Sequence, residues 1–313
     1  MTAGNVDVTG VSGATARALD AGGLEVGDVV RVVRTALDED FRYGADVTSA
    51  ATVPGRTVTA DVVARETGVI AGLPVALAVL DLLADYSPAG FPGGYAVSGS
   101  PLGTDGTAVG PGDAVLRVRG DAVAVLGAER TMLNFLTHLS GIATATREWA
   151  AAVAGTGAVI RDTRKTLPGL RGLEKYAVRC GGGQNHRMGL GDAALVKDNH
   201  VAAAGGIGPA VRAVRAAAPP GLVIEIECDS VAQVREALEA GARFLLLDNM
   251  PVPVLREAVA VARGYTGVRL EASGGLQLAG ARKVAETGVD YLSVGALTHS
   301  SRALDLGLDY RDS

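Results

Sequence analysis

The chain has 313 residues, 48% of them apolar and only 4% aromatic, with a formal net charge of −5 and a pI of about 5.5. That is apolar material for one large α/β unit or two ordinary domains cored by Val, Leu, Ile and Ala, and the acidic balance, without a basic tail or stripe, excludes a nucleic-acid footprint. Two cysteines at no framework spacing, an N-terminus (MTAGNVDVTG) without a signal core, and a longest apolar run (VIAGLPVALAVL, 69–80) too short to span a bilayer lead us to expect a cytoplasmic protein with no membrane partner.

Residues 1–27, small and polar, read as a loose leader. Val29, Val30, Val32, Val33 and Leu37 recur at helical spacing over 28–40. Between 57 and 126 the pattern changes. TVTADVVARETGVIAG and AVLRVRGDAVAVL alternate or run apolar, predicting antiparallel strands around a helix at 74–84, with SGSPLGTDGTAVGPGD supplying turns. Residues 1–136 are therefore expected to form an open α/β sandwich. A long helical pattern follows over 129–153, carried by Met132, Leu133, Leu136, Leu139, Ile142 and Ala143.

Six short apolar runs come next, at 158–161, 193–197, 222–226, 244–247, 268–272 and 291–294. Most intervals hold helical patterns; Ser230 can cap and Gly241 can stop SVAQVREALEAG, and Gly264 follows PVPVLREAVAVARG. Strand–helix alternation predicts a parallel sheet with helical crossovers, here a six-stranded incomplete α/β barrel, TIM-like, over 137–296. Residues 297–313 are expected to pack back on the first domain. An open doubly wound sheet is the competing architecture.

Parallel barrels carry their chemistry at the C-terminal ends of the strands. The first run exits into Asp162, Thr163, Arg164 and Lys165; the second carries Lys197, Asp198 and Asn199; the third Glu227, after Glu225; the fourth Asp248 and Asn249; the fifth Ser273, Gly274 and Gly275; the sixth Val294, Gly295 and Ala296. The stretch GGGQNHRMG adds His186 and Arg187. The early ends are cationic and suit capture of carboxylate or phosphate. Glu227 and Asp248 suit Mg²⁺ or sugar hydroxyls. The Gly-rich last ends offer backbone N–H groups to a phosphate. Lysine is scarce among the 29 basic residues, confined to Lys165, Lys175, Lys197 and Lys283, which draws attention to the two at the rim. Singly, each has a plain structural reading: His186 packed, Arg187 solvated, Glu227 paired with Arg243 or Arg269, ASGG a turn. His138, His299 and Cys228 are read as structural. The order around one rim, cations then acids then a Gly-rich seat, favours a site for an anionic small molecule.

The stretches ERTMLNFLTHLSGIAT (129–144), DTRKTLPGLR (162–171), KYAVRCGGGQNHRMGLGDAALVKDNH (175–200), IEIECDS (224–230), LLLDN (245–249), EASGG (271–275) and SVGAL (293–297) resemble the quinolinate phosphoribosyltransferases, type II phosphoribosyltransferases also called nicotinate-nucleotide pyrophosphorylases (carboxylating). The resemblance covers the second half of the chain; the first matches more loosely, through DVTSAATVP (46–54). It implies transfer of phosphoribosyl from phosphoribosyl pyrophosphate to quinolinate with loss of CO₂, in NAD biosynthesis, with Mg²⁺ and no organic cofactor. It also implies at least a homodimer, in which Arg130 reaches the neighbouring site. By motif position, Thr163, Arg164, Lys165, His186, Arg187 and Lys197 would hold quinolinate. Lys165, Lys197, Glu227, Asp248, Ser273, Gly274, Gly275, Val294, Gly295 and Ala296 would hold phosphoribosyl pyrophosphate, with Lys165, Lys197, Glu227 and Asp248 closest to the chemistry and Glu227 and Asp248 nearest the metal. Some 25 residues precede the usual start, and Ala45 separates Gly44 from Asp46 where the family more often joins Gly to Asp, which leaves the contribution of Asp46 open. The rivals are a Schiff-base lyase using Lys197, which Asp198, Glu227 and Asp248 would instead keep charged; a non-catalytic anion sensor; and a sister transferase acting on another anion.

Overall fold

The computed structural model describes residues 10–84, 86 and 96–311, and internal contacts divide the chain into two units. The first comprises residues 1–145, 167–181 and 300–313; the second, 146–166 and 182–299. The sequence reading placed a single boundary near 136. The structure breaks within a helix, at Ala145, and assigns the segment 167–181 to the first unit.

In the first unit the leader is not loose over its described part. Ser12 accepts from the Thr15 N–H and starts helix α1 (Gly13–Ala21), whose Leu19 is fully buried. Helix α2 (Val26–Asp40) buries the five apolar positions read from its sequence. Asp46 caps the short α3 (Val47–Thr52) by accepting from the Thr48 and Ser49 N–H groups, a structural role for that residue. Strands β1 (Thr57–Ala64), β3 (Val97–Pro101) and β5 (Ala114–Asp121) join the C-terminal β12 (Leu306–Tyr310) in an antiparallel sheet of order β12-β1-β5-β3. A small ladder pairs β2 (Gly68–Val69) with β4 (Ala108–Val109). Helix α4 (Leu73–Ala84) is apolar nearly all round and buried accordingly; each fully buried Leu or Val contributes about 1.5–3 kcal/mol. Asp105 accepts from the Gly72 and Leu73 N–H groups at its start and from the Tyr176 hydroxyl.

One strand expectation fails. AVLRVRGDAVAVL is strand only to Asp121; AVAVL opens helix α5 (Ala122–Ala152), seven residues before the helical pattern was read. A short alternating apolar run does not separate strand from buried helix, because a helix buried all round also shows apolar residues at every second position. Helix α6 (Arg171–Cys180) completes the unit, with Glu174 accepting from His138 and from the Leu167 N–H.

The second unit holds the six predicted strands: β6 (Val159–Arg161), β7 (Ala194–Val196), β8 (Ile224–Cys228), β9 (Phe244–Asp248), β10 (Arg269–Ser273) and β11 (Tyr291–Ser293). All are parallel, in the order β6-β11-β10-β9-β8-β7. The first strand pairs with the last, as in a barrel, and the order never reverses, so the doubly wound alternative is excluded. The ladder is absent between β6 and β7, which makes the barrel incomplete. Helices α7 (Asp198–Ala204), α8 (Ile207–Ala217), α9 (Val231–Glu239), α10 (Val252–Ala262) and α11 (Ala281–Ala285) fill crossovers, and α12 (Ala296–His299) follows the last strand. Ser230 caps α9 as its sequence predicts. No described helix is long and apolar enough to cross a membrane.

Both cysteines are unpaired, and burial pushes their thiols up, Cys180 to about 11 and Cys228 to about 12. At pH 8 both are then almost wholly protonated, and the thiolate is the nucleophile. Iodoacetamide at pH 8 is expected to leave both thiols intact in the folded protein and to modify both in concentrated urea. For Cys180 the rate should climb about tenfold per pH unit above 8; rapid native-state alkylation would contradict the burial.

Candidate active site

Side chains alternate between the two faces of a strand. In the barrel, Ile226, Leu245, Leu247, Ala272 and Leu292 are fully or almost fully buried. Their neighbours Glu227, Leu246, Asp248, Glu271, Ser273 and Ser293 line a cavity of about 500 Å³ at the C-terminal strand ends. Thr163, Arg164, Lys165, His186, Arg187, Leu195, Lys197, Asn249, Gly274 and Gly275 complete its wall. Eleven positions were expected to meet at the rim from within one chain besides Arg130 and the last strand's exit. Thr163, Arg164, Lys165, His186, Arg187, Lys197, Glu227, Asp248, Ser273, Gly274 and Gly275 are all in that wall.

The remaining expected positions lie elsewhere. Val294, Gly295 and Ala296 follow β11 outside the wall. Gly295 still packs against the loop: a Cβ there would stand 3.1 Å from Lys165 Cδ and 3.4 Å from Thr163 Oγ1. Thr298 Oγ1 donates to the Lys165 carbonyl at 2.8 Å and holds the same loop from below. Arg130 belongs to α5 in the first unit.

The wall is electrically divided. Arg187 is half-buried; desolvation first, and the neighbouring Arg164 second, hold its guanidinium below the ordinary value. The Arg164 Nε is buried and finds no acceptor among the described residues. Two guanidiniums so close, one with an unmet donor, favour an anion between them. Across the cavity, Lys197 Nζ lies 3.1 Å from Glu227 Oε2, the partner Glu227 takes in place of Arg243 or Arg269. Asp248 Oδ2 accepts from Asn249 Nδ2 at 2.6 Å. His200 Nδ1 accepts from the Lys197 N–H at 2.9 Å and fixes that residue at the start of α7.

His186 and Glu271 of the wall belong to a buried charged layer whose two glutamates the sequence reading missed. Glu225, Glu271 and His186 are buried, and their ligand atoms fall within 4.8 Å of one another. Arg161 Nη1 contacts Glu271 Oε2 at 2.5 Å, and its guanidinium sits 4.7 Å from the Tyr291 ring centroid. Ser293 Oγ donates to Glu271 Oε1. Burial pushes Glu225 up to about 7, against the pull of Arg161 and Arg187, and raises Glu271 as well. The signal was available: Glu225 stands two residues before Glu227, and Glu271 two before Ser273, so each shares its partner's face.

The Gly-rich end is shaped by close approach. Asn249 is the one described non-glycine residue with positive φ, 53°, and donates its N–H to the Ser273 carbonyl at 2.9 Å. Gly274, at φ 90°, packs on it; a Cβ would stand 2.8 Å from the Asn249 nitrogen and would run into its side-chain amide.

A barrel whose C-terminal mouth gathers cations, carboxylates and a glycine turn is the architecture of an enzyme acting on anionic small molecules. Sequence comparison makes the class specific. Residues 142–309 match the C-terminal domain model of quinolinate phosphoribosyl transferase, and residues 46–140 its N-terminal domain model. The nicotinate-nucleotide pyrophosphorylase [carboxylating] of Mycobacterium leprae is 55% identical over 281 residues, 88% of this chain and 95% of that one. A probable enzyme of the same name from Bacillus subtilis is 39% identical, covering 87% and 89%. The solved nicotinate-nucleotide pyrophosphorylase of Francisella tularensis superposes with a TM-score of 0.83 at 36% identity, over 91% of this chain and 96% of that one. The chain belongs to the quinolinate phosphoribosyltransferase family.

Gly274→Ala combines a left-handed backbone with a clash and is expected to lower stability by roughly 1–3 kcal/mol in urea unfolding. Gly267→Ala, at φ 70° with open space around it, should lose only about 1 kcal/mol. Equal losses at the two sites would show that the Asn249 contact is loose.

Proposed function

We propose that this protein transfers phosphoribosyl from phosphoribosyl pyrophosphate to quinolinate with decarboxylation, giving nicotinate mononucleotide, pyrophosphate and CO₂ for NAD biosynthesis. The observation that carries the reading is the crowding of Arg164 and Arg187 on one wall, with the Arg164 Nε buried and unmet. Quinolinate brings two adjacent carboxylates, and removing their water is costly unless cations replace it. Arg164 and Arg187 supply the fork-shaped donors for them, with Thr163, Lys165 and Lys197 beside them. Ser273, Gly274 and Gly275, and beyond them Val294, Gly295 and Ala296, offer the small residues a phosphate seat needs.

The ring nitrogen of quinolinate forms a bond to the ribose anomeric carbon as the bond to pyrophosphate breaks. Charge on the sugar is positive as this happens, so Glu227 and Asp248, facing the ribose hydroxyls, stabilise it and fix its orientation. Lys165 and Lys197 lie where the departing pyrophosphate gathers negative charge. Ribosylation makes the ring nitrogen cationic. The adjacent carboxylate then leaves as CO₂, its bonding electrons stay on the ring carbon beside that nitrogen, and a proton takes its place. The substrate is its own electron sink, so no organic cofactor is called for.

Glu227 and Asp248 are hard oxygen donors on adjacent strands and fit Mg²⁺, which commonly takes one or two carboxylates plus substrate phosphates. Bound there, the ion would neutralise the pyrophosphate. In the same reading the protein works in the cytoplasm as a homodimer, with Arg130 reaching the partner's site; two unpaired cysteines suit a reducing compartment. A Schiff-base role for Lys197 is disfavoured by its contact with Glu227, which stabilises the ammonium form.

Purified protein with quinolinate, phosphoribosyl pyrophosphate and Mg²⁺ should yield nicotinate mononucleotide. Arg164→Ala should reduce turnover roughly 100-fold or more with an unchanged circular-dichroism spectrum. Near-normal turnover by the variant, or release of pyrophosphate without mononucleotide, would refute the assignment.

A further inference from the structure

Backbone pairing between β6 and the segment 184–187 is one residue long. Gln184 donates its N–H to the Ile160 carbonyl at 2.9 Å and accepts from the Asp162 N–H at 3.2 Å, and the bridge ends there. So short a pairing fixes Gln184 and leaves the next residues to be held by other means. A side chain holds them. Asp162 is fully buried; its Oδ1 accepts from the His186 backbone N–H at 2.8 Å and its Oδ2 from Asn185 Nδ2 at 2.5 Å. Arg161 Nη2 adds a bond to the Asn185 carbonyl at 3.2 Å. Arg187 follows at once and sends Nη1 to the Ala193 carbonyl at 3.1 Å. In the other direction, Asp162 stands two residues before Arg164 in the exit of β6. Thr298 secures that exit, its Oγ1 donating to the Lys165 carbonyl at 2.8 Å.

One carboxylate is thus tied to both cations of the wall. It reaches Arg164 through two residues of chain and Arg187 through a hydrogen bond to the residue before it. Thr163, Arg164 and Arg187 line the cavity and Asp162 does not, so Asp162 acts through them. A buried carboxylate is stable only where donors or cations compensate it, and an apolar residue in its place would leave both donors without their acceptor. The geometric consequence is the approach of two guanidiniums. After desolvation, Arg164 is the largest influence holding Arg187 below its ordinary value. Like charges brought together in this way are relieved most by a ligand with two carboxylates side by side, and less by a ligand with one.

We propose that Asp162 is a positioning residue: its carboxylate locks the segment 185–187 onto the exit of β6 and sets the spacing of Arg164 and Arg187 that favours a ligand with two adjacent carboxylates over a monocarboxylate. The dicarboxylate is taken from the proposed function; the lock itself stands on the hydrogen bonds. Displacing a binding group by about 1 Å can change a rate roughly 100-fold, so a relaxed lock shows in ligand selectivity even where the fold survives.

The first test needs no turnover. The full-length protein is titrated calorimetrically with benzene-1,2-dicarboxylate, which keeps two adjacent carboxylates and lacks the reacting ring nitrogen, and with benzoate. Wild type should bind the dicarboxylate at least about 10-fold more tightly. Asp162→Ala should weaken the dicarboxylate roughly 10–100-fold and benzoate less than about threefold. Asp162→Asn still offers Oδ1 to the His186 N–H, and its amide can donate to Asn185 once that side chain turns over, so it should recover most of the loss. An Asn variant as poor as the Ala variant, equal losses for the two ligands, or a wild type without preference overturns the proposal. Should Asp162→Ala not fold, Asn185→Ala removes one of the two side-chain bonds and should lower the preference roughly threefold or more; unchanged selectivity there overturns the proposal as well. In steady-state kinetics Asp162→Ala should raise KM for quinolinate with KM for phosphoribosyl pyrophosphate within about twofold of wild type. A wild type that prefers the dicarboxylate and yields no nicotinate mononucleotide refutes the proposed function and leaves the lock to be decided by the titrations.

Discussion

An ionised carboxylate inside a barrel is stable only beside a cation or enough donors, and this barrel buries Glu225 and Glu271 side by side. Glu271 is compensated by Arg161 and Ser293; Glu225 has the His186 ring and the more distant pull of Arg161 and Arg187, and burial still raises both. The layer above is thereby built on a floor whose acidic charge is only partly compensated. Arg161 is held in turn by the Tyr291 and Phe244 rings, 4.7 and 5.5 Å from their centroids. A floor of leucine would pack as well, but would offer no acceptor to His186.

The same period-two alternation that sinks Glu225 and Glu271 lifts Glu227 and Ser273 to the mouth. Two residues further along each strand, water and substrate replace protein as the compensating partners. Lys197 and Glu227 neutralise one another at 3.1 Å across the rim, with Lys197 about half exposed, so the contact is weak and easily traded for ligand contacts. Arg164 and Arg187 make no ion pair of that kind among the described residues, although Asp192 and Glu225 act on Arg187 from further off. The floor is therefore compensated mostly by protein, though the Glu225 Oε1 and Arg161 Nε find no partner among the described residues, while the acidic side of the rim is satisfied loosely. That gradient distinguishes structural charge from charge available for binding, although the residue types are the same at each level.

Much of this was legible in the sequence where a residue's role follows from its strand position. Every one of the six barrel strands could be read from its apolar run, and at every exit but the last the polar residues fall at the rim because strands end where apolar alternation ends. The floor was not read, since a Glu inside IEIEC is masked by its neighbours and looks like a surface residue of an edge strand until the register is known. The failure at Ala122–Leu126 has a different cause: AVAVL suits a buried strand and a buried helix equally, and only the packing of Ala122, Ala124 and Val125, all fully buried, decides for helix. The helix at Gly13–Ala21 escaped notice because alanine-rich, low-charge sequence looks unstructured, while Ser12 and Leu19 supply a cap and an anchor. Asp46 was open by sequence and is settled by geometry as a cap.

The missing ladder between β6 and β7 explains how the cationic wall is assembled. In a closed barrel the second strand would take the free edge of β6. Here Gln184 takes it: its N–H donates to the Ile160 carbonyl at 2.9 Å, and its carbonyl accepts from the Asp162 N–H at 3.2 Å. The segment 184–187 thus runs beside β6 as one step of strand. It sets Asn185 over Arg161, His186 over Glu225 and Glu271, and Arg187 next to Arg164. A short bridge in place of a full strand lets the second cation approach along the loop. The barrel is incomplete at the seam where the segment carrying Arg187 comes alongside the exit of β6 that carries Arg164.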